Sequence, residues 1–160
     1  MMKINLINDW VVEISDVWLP DLSPEECRMI GKLVLTNLVV VVKNQMMSPE
    51  AQIDFCNHLG KVERYYSSQR KIEISKDLSV GDGVARITGA KNERGARGMF
   101  PDKHELIWHA DGCEKPNRNS IVWLHAIEGS LGSKTSWNNT ALAYRDMPED
   151  IKAKVREMKI

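Results

Sequence analysis

An excess of charge of either sign is missing from this sequence. Its 22 lysines and arginines are matched by 22 aspartates and glutamates, for a formal net charge of zero. Chains that dock on nucleic acid or on an anionic membrane usually carry a basic excess, so neither partner is expected. Long apolar runs are missing too. The longest, LVLTNLVVVV, is interrupted by Thr36 and Asn37 and is too short to span a bilayer. No cationic start followed by an apolar core opens the chain, so no secretory leader is expected. Cysteine is scarce: Cys27, Cys56 and Cys113 are odd in number and lack zinc-type spacing. Free thiols in a reducing cytoplasm follow as the expectation. Internal repeats, low-complexity segments and linkers are also lacking. A single domain over residues 1–160 is therefore expected, long enough to bury a core of its own.

What is there reads as alternating strands and helices. DWVVEI is a first strand candidate. In LSPEECRMIGKLVLTNL, Ser23 is placed as N-cap, Pro24 at the first helical position and Glu26 at the third, which predicts a capping box. Met29, Ile30, Leu33 and Val34 then recur at helical spacing. VVVV, residues 39 to 42, reads as a strand buried on both sides. MSPEAQIDFCNHLG repeats the start signal at Ser48 and Pro49, with Gly60 as the stop and His58 as a surface or capping histidine. VARITGA, ELIWHA and NSIVWLHAI are further strand candidates, and GSLGSKTSW is a turn leading into a short one. The loop at 91–104 is rich in glycine and charge and reads as a mobile lid. Two helices close the chain, NNTALAYRDM and PEDIKAKVREM, the second starting at Pro148. More strand than a βαβ alternation supplies predicts an α+β or barrel-like fold.

The chemistry-bearing stretch is ELIWHADGCEKP, residues 105 to 116. On a strand, side chains two apart share a face, so His109 and Asp111 would project together. A borderline metal accepts that mixture of nitrogen and oxygen ligands. An isolated H-x-D also occurs simply as a His and an Asp hydrogen-bonded to neighbours, so the surroundings must decide.

Those surroundings resemble a known family. RGMFPDKHELIWHADG, followed by NSIVWLHAIEGSLGSKTSWNNTALAYRDMPEDIKAKV, is similar to the taurine dioxygenase-like (TauD/TfdA) family of Fe(II)- and 2-oxoglutarate-dependent oxygenases. LVVVVKNQMMSPEAQIDFCNHLGKVE resembles that family's N-terminal strand, Q-x-x-[ST]-P-E turn and following helix. The resemblance implies a double-stranded β-helix, or jelly roll, with flanking helices. It implies that His109 and Asp111 supply two of three iron ligands and that Thr135 contacts the 2-oxoglutarate carboxylate. Where the family has two glycines before an acidic residue, this chain has Gly132, Ser133 and Lys134. Small-molecule substrate and dioxygen are the implied partners. Hydroxylation or oxidative cleavage, with release of succinate and CO2, is the implied reaction.

The resemblance also defines what is not found. The family's distal histidine and the arginine that holds the far carboxylate of 2-oxoglutarate match nothing in this chain. Arg145 and Arg156 fall on predicted helices, and His104 and His125 lack the ligand context. Trp108 is expected in the core. The sequence is therefore expected to correspond to the N-terminal half to two-thirds of such an enzyme, with an incomplete jelly roll. Its open sheet edges would favour association, so a homo-oligomer is a further expectation. Two other functions compete. A thiol hydrolase built on Cys113, His109 and Asp111 fails on distance, because same-face strand positions lie roughly 7 Å apart. A nucleophile and its base must approach to about 3 Å. A truncated or degenerate, non-catalytic fragment or interaction protein remains the alternative.

Overall fold

The computed structural model describes residues 2–62, 84–85, 87, 107–112, 120–128 and 134–158. The chain clusters into two compact units, Met1–His109 and Ala110–Ile160. Each is described by itself.

The first unit is a three-stranded mixed sheet with helices. β1 (Lys3–Asn8) and β2 (Val11–Ser15) form an antiparallel hairpin, with Ile4 opposite Ile14 and Leu6 opposite Val12. Asn8 organises the turn by accepting a 3.0 Å hydrogen bond from the Trp10 N–H through its side-chain oxygen, an Asx-type arrangement. β3 (Val39–Val42) lies parallel to β2 on its other side, pairing Val11 with Val39 and Ile14 with Val42. A parallel pair needs a long crossover, and α1 (Pro24–Asn37) provides it. One strand adds to the expectations and another corrects them. β1 was not anticipated: all six of its residues are exposed, and KINLIN carries two strand-averse asparagines. Nor is β3 buried on both sides. Its residues are half-buried, with Val41 exposed, because the strand order β1-β2-β3 leaves it flanked on one side among the described residues.

α1 starts where the capping box predicts. Ser23 Oγ accepts from the Glu26 N–H at 3.3 Å, and the Glu26 carboxylate accepts from the Ser23 N–H at 2.9 Å. Both end groups of the first turn are thereby satisfied. The helix presents Cys27, Ile30 and Gly31 to the interior. Its end is closed by Thr36 Oγ1 and Asn37 Nδ2, which donate to the Lys32 and Leu33 carbonyls. α2 (Pro49–Leu59) is capped by Ser48 and buries Phe55. Gly60 does end it, though in extended backbone that any residue could adopt.

Val12, Ile14, Leu19, Cys27, Ile30, Met47 and Phe55 form the core. Gln45 is the buried polar group among them. Its Oε1 accepts from the Leu19 N–H at 3.1 Å, and its Nε2 donates to the carbonyls of Val17 at 2.8 Å and Lys43 at 2.7 Å. One amide thus ties the end of β3 to the short 3₁₀ turn at Leu19–Asp21.

The second unit contains α3 (Thr140–Asp146) and α4 (Glu149–Glu157). Asn139 caps α3 by accepting from the Ala141 and Leu142 N–H groups, both at 3.1 Å. The two helices are tied by Arg156 Nε, which donates to the Tyr144 hydroxyl at 2.9 Å. Lys152 Nζ donates to the Arg145 carbonyl at 3.0 Å. No residue of either helix is fully buried.

The later strand candidates do not form ladders among the described residues. Residues 107–110, 120–127 and 134–137 are irregular, and Val84 in VARITGA makes only an isolated bridge. Ile121, Trp123 and His125 are nonetheless half-buried while Val122, Leu124 and Ala126 are exposed, so the strand-like alternation is kept. Alternation sets which side faces inward, but a ladder also needs a partner strand beside it. The expected lid at 91–104 lies outside the described residues. No helix of the described residues is long and apolar enough to cross a membrane.

Candidate functional site

The segment Ile107–Gly112 carries the two candidate ligands, and its local folding follows from its sequence. Asp111-Gly112 is a turn, with Gly112 at φ 70°. That left-handed value is where glycine replaces other residues at no steric cost, so D-G ends the extended run immediately after the candidate carboxylate. The boundary between the two units falls between His109 and Ala110. His109 therefore belongs to the first unit and Asp111 to the second, and both side chains are at exposed positions.

His109 has a defined local contact. Its Nδ1 lies 2.7 Å from the Ile107 carbonyl oxygen. A carbonyl can only accept, so Nδ1 must carry the proton in this contact. In a neutral ring Nε2 then holds the lone pair that a metal would use. Metal-binding histidines typically donate their second ring N–H in this way. An imidazole nitrogen whose ring orientation is set from behind is a donor of a kind that iron or zinc accepts, and a carboxylate follows it two residues later in the sequence.

Other expected site residues are not gathered by the structure. Among the described residues, no group of three His, Cys, Asp or Glu could hold a metal ion. His125 lies in an irregular segment instead of the expected strand. Thr135 is exposed in the irregular stretch before α3. Trp108, expected in the core, is 70% exposed, because its segment forms no ladder that would turn it under a neighbouring layer. His104 and Cys113 lie outside the described residues. Arg145 and Arg156 are engaged in helix contacts, Arg145 with Asp146 and Arg156 with Tyr144 and Glu149. The two described thiols are poor nucleophiles and poor ligands. Burial pushes the Cys56 thiol up to about 11, and burial likewise raises that of Cys27.

Sequence comparison adds the decisive observation. The profile of the family described as "Taurine catabolism dioxygenase TauD, TfdA family" matches residues 6–160. The chain belongs to this family. A relative in Burkholderia sp. (strain RASC), named alpha-ketoglutarate-dependent 2,4-dichlorophenoxyacetate dioxygenase, is 23% identical over 141 residues. That alignment covers 86% of this chain and 48% of the relative, so the chain spans about half the length of the curated protein it matches. No solved structure matches the chain. The family match encloses the H-A-D segment, the α2 start signal and the final helix pair in one continuous stretch, as the resemblance of the motifs implied.

Proposed function

We propose that this chain is part of an Fe(II)- and 2-oxoglutarate-dependent dioxygenase acting on a small organic substrate. The observation that supports this reading best is the continuous family match across residues 6–160, with His109-Ala110-Asp111 inside it. In this reading His109 would bind the metal through Nε2 and Asp111 through its carboxylate. Thr135 would donate its hydroxyl to a 2-oxoglutarate carboxylate oxygen. The wider fold would be the family's double-stranded β-helix with helices outside. When bound, iron with 2-oxoglutarate and dioxygen supplies the oxidising chemistry, with succinate and CO2 as co-products. The protein's own task is narrower. The Ile107 carbonyl would orient the His109 ring by accepting from its Nδ1–H, and the Asp111-Gly112 turn would present the carboxylate.

One observation favours a second, non-catalytic reading. Among the described residues, no group of three His, Cys, Asp or Glu could hold a metal ion. Iron titration separates the two. The dioxygenase reading expects weak Fe(II) binding by the 160-residue chain, abolished by Asp111→Ala and by His109→Ala, with little succinate formed from 2-oxoglutarate. A charge-assisted carboxylate pair is worth roughly 1.5–3 kcal/mol. Without one from an arginine, 2-oxoglutarate should bind about ten- to a hundredfold more weakly than in a site that has it. Binding indifferent to both substitutions would overturn the ligand assignment. Robust Asp111-dependent turnover by this chain alone would show that another residue completes the site.

A further inference from the structure

We infer that β1 is a dimerisation strand: two copies of this chain pair antiparallel along their β1 edges, about a two-fold axis at Asn5, and join two three-stranded sheets into one. This goes beyond the proposed activity and does not depend on it. β1 lies at one end of the strand order, and none of its residues is buried. Its register with β2 places Ile4 opposite Ile14 and Leu6 opposite Val12. Opposed residues of an antiparallel pair share a face, so Ile4 and Leu6 extend the face that carries the core. α1 packs against β2 and β3 and leaves Ile4 49% and Leu6 61% exposed.

The same two residues present their backbones to the open edge. The Trp10 and Ile14 carbonyls accept from the Val39 and Lys43 N–H groups, so they face β3. Backbone groups alternate sides along a strand, so those of Val11, Glu13 and Ser15 face β1. Lys3 opposite Ser15 and Asn5 opposite Glu13 are then the hydrogen-bonded pairs, and the N–H and C=O of Ile4 and Leu6 point away from β2. A second β1 fits this edge with Ile4 opposite Leu6 of the second copy, Asn5 opposite Asn5, and Lys3 opposite Ile7. Each Ile4–Leu6 pair exchanges two hydrogen bonds, and symmetry repeats it. Ile4 and Leu6 of both copies then form one apolar strip, continuous with Val12 and Ile14 on either side. Charge agrees with this direction. Antiparallel pairing brings Lys3, which also reaches Asp16 of its own chain, toward the exposed Asp9 at the other copy's hairpin turn. Parallel pairing would set Lys3 beside Lys3. A formal net charge of zero leaves no long-range repulsion between copies. β1 also lacks the devices that keep sheet edges apart: it has no proline, its one charged residue stands at its start, and its irregularity lies beyond Leu6.

The test is sedimentation of the 160-residue chain in reducing buffer over a range of concentrations. The parent is expected to pass from monomer to dimer as concentration rises. Leu6→Pro removes an N–H that points away from β2, so the hairpin keeps its own ladder. Dimerisation should weaken about tenfold or more through the bonds lost in both copies. On oxidation, Asn5→Cys should give a disulfide between the two position-5 thiols, because the Cα atoms of a non-hydrogen-bonded pair lie about 4.5 Å apart. Lys3→Cys should not bridge, since its two Cα atoms would lie roughly 14 Å apart, beyond the limit of about 7 Å. A chain that stays monomeric up to about 1 mM overturns the inference. So does a dimer that Leu6→Pro leaves intact and that bridges no better at position 5 than at position 3, which would mean association through another surface. Circular dichroism checks that Leu6→Pro remains folded; if it unfolds, the two cysteine variants decide. Slow amide exchange at Ile4 and Leu6 that persists on dilution to monomer would assign the edge to another segment of the same chain, and would also overturn the inference.

Discussion

β2 and the segment 120–127 are built from the same kind of residue and end differently. In β2, Val12 and Ile14 alternate with Glu13, and both apolar side chains are buried, at 3% and 0% exposure. In the later segment Ile121 and Trp123 alternate with Val122 and Leu124, yet the inward set is only half-buried and Leu124 is 57% exposed. β2 has a strand on each side, one from the hairpin and one from the α1 crossover. The later segment has none among the described residues. Pattern decides which way a side chain points. Depth of burial is decided by neighbours, and these are non-local.

The sharpest way to break this comparison is a pair of truncations. Ile14→Ala removes a fully buried side chain and should cost about 2–5 kcal/mol in chemical unfolding. Leu124→Ala should cost less than about 0.5 kcal/mol, as for a surface position. Equal costs would mean that 120–127 is as deeply packed as β2. A middle-sized effect comes from the amide that ties β3 to the Leu19 turn. Gln45→Leu strands the buried Leu19 N–H and should cost about 1–3 kcal/mol for that group alone. Gln45→Glu should be worse near neutrality, because a carboxylate would face the Val17 and Lys43 carbonyls. Those neighbours raise the folded-state pKa of the introduced acid. Its stability is therefore greatest below the unfolded carboxyl value and declines as pH rises through the folded one. Thermal melts of Gln45→Glu should show this, and a flat profile would contradict the clamp.

The smallest effect tests the local signals. Ser23→Ala should cost about 1 kcal/mol as a lost N-cap. Hydrogen bonds from the Ser23 hydroxyl and backbone N–H hold the Glu26 carboxyl below its ordinary value. A depressed carboxyl contributes stability above its unfolded pKa and loses it as pH falls through the folded one. The gap between Ser23→Ala and the parent should therefore narrow in acid, and urea titrations at neutral and acid pH would read it.

What was legible in the sequence follows the same division. The capping box at Ser23, the cap at Ser48 and the Pro148 helix start depend on residues within one turn of each other, and all were readable. β1 was not, because its six exposed residues carry no burial signal and its asparagines argue against a strand. Val39–Val42 was readable as a strand but not in its depth, since its position in the sheet is set by pairing. At the candidate site, the ligand identities came from family resemblance and from H-x-D spacing. The Nδ1 contact with Ile107 could not be read, because a turn that folds a ring back onto a carbonyl two residues earlier leaves no trace in composition. Trp108 was misplaced for the reason that governs 120–127: the ladder that would cover it was assumed.

The parallel pairing of β2 with β3 has a consequence in time. Everything needed for it, from Val11 to Val42, together with α2 as far as Leu59, is synthesised 50 residues before His109. At ~5–20 residues per second, that is a lead of roughly 3–10 s over the ribosome's delivery of the first candidate ligand. Helix formation and closure of a crossover of this length take microseconds to milliseconds. The N-terminal layer has ample time to settle as nascent chain while the rest of the chain, including both metal-binding candidates, has yet to be made.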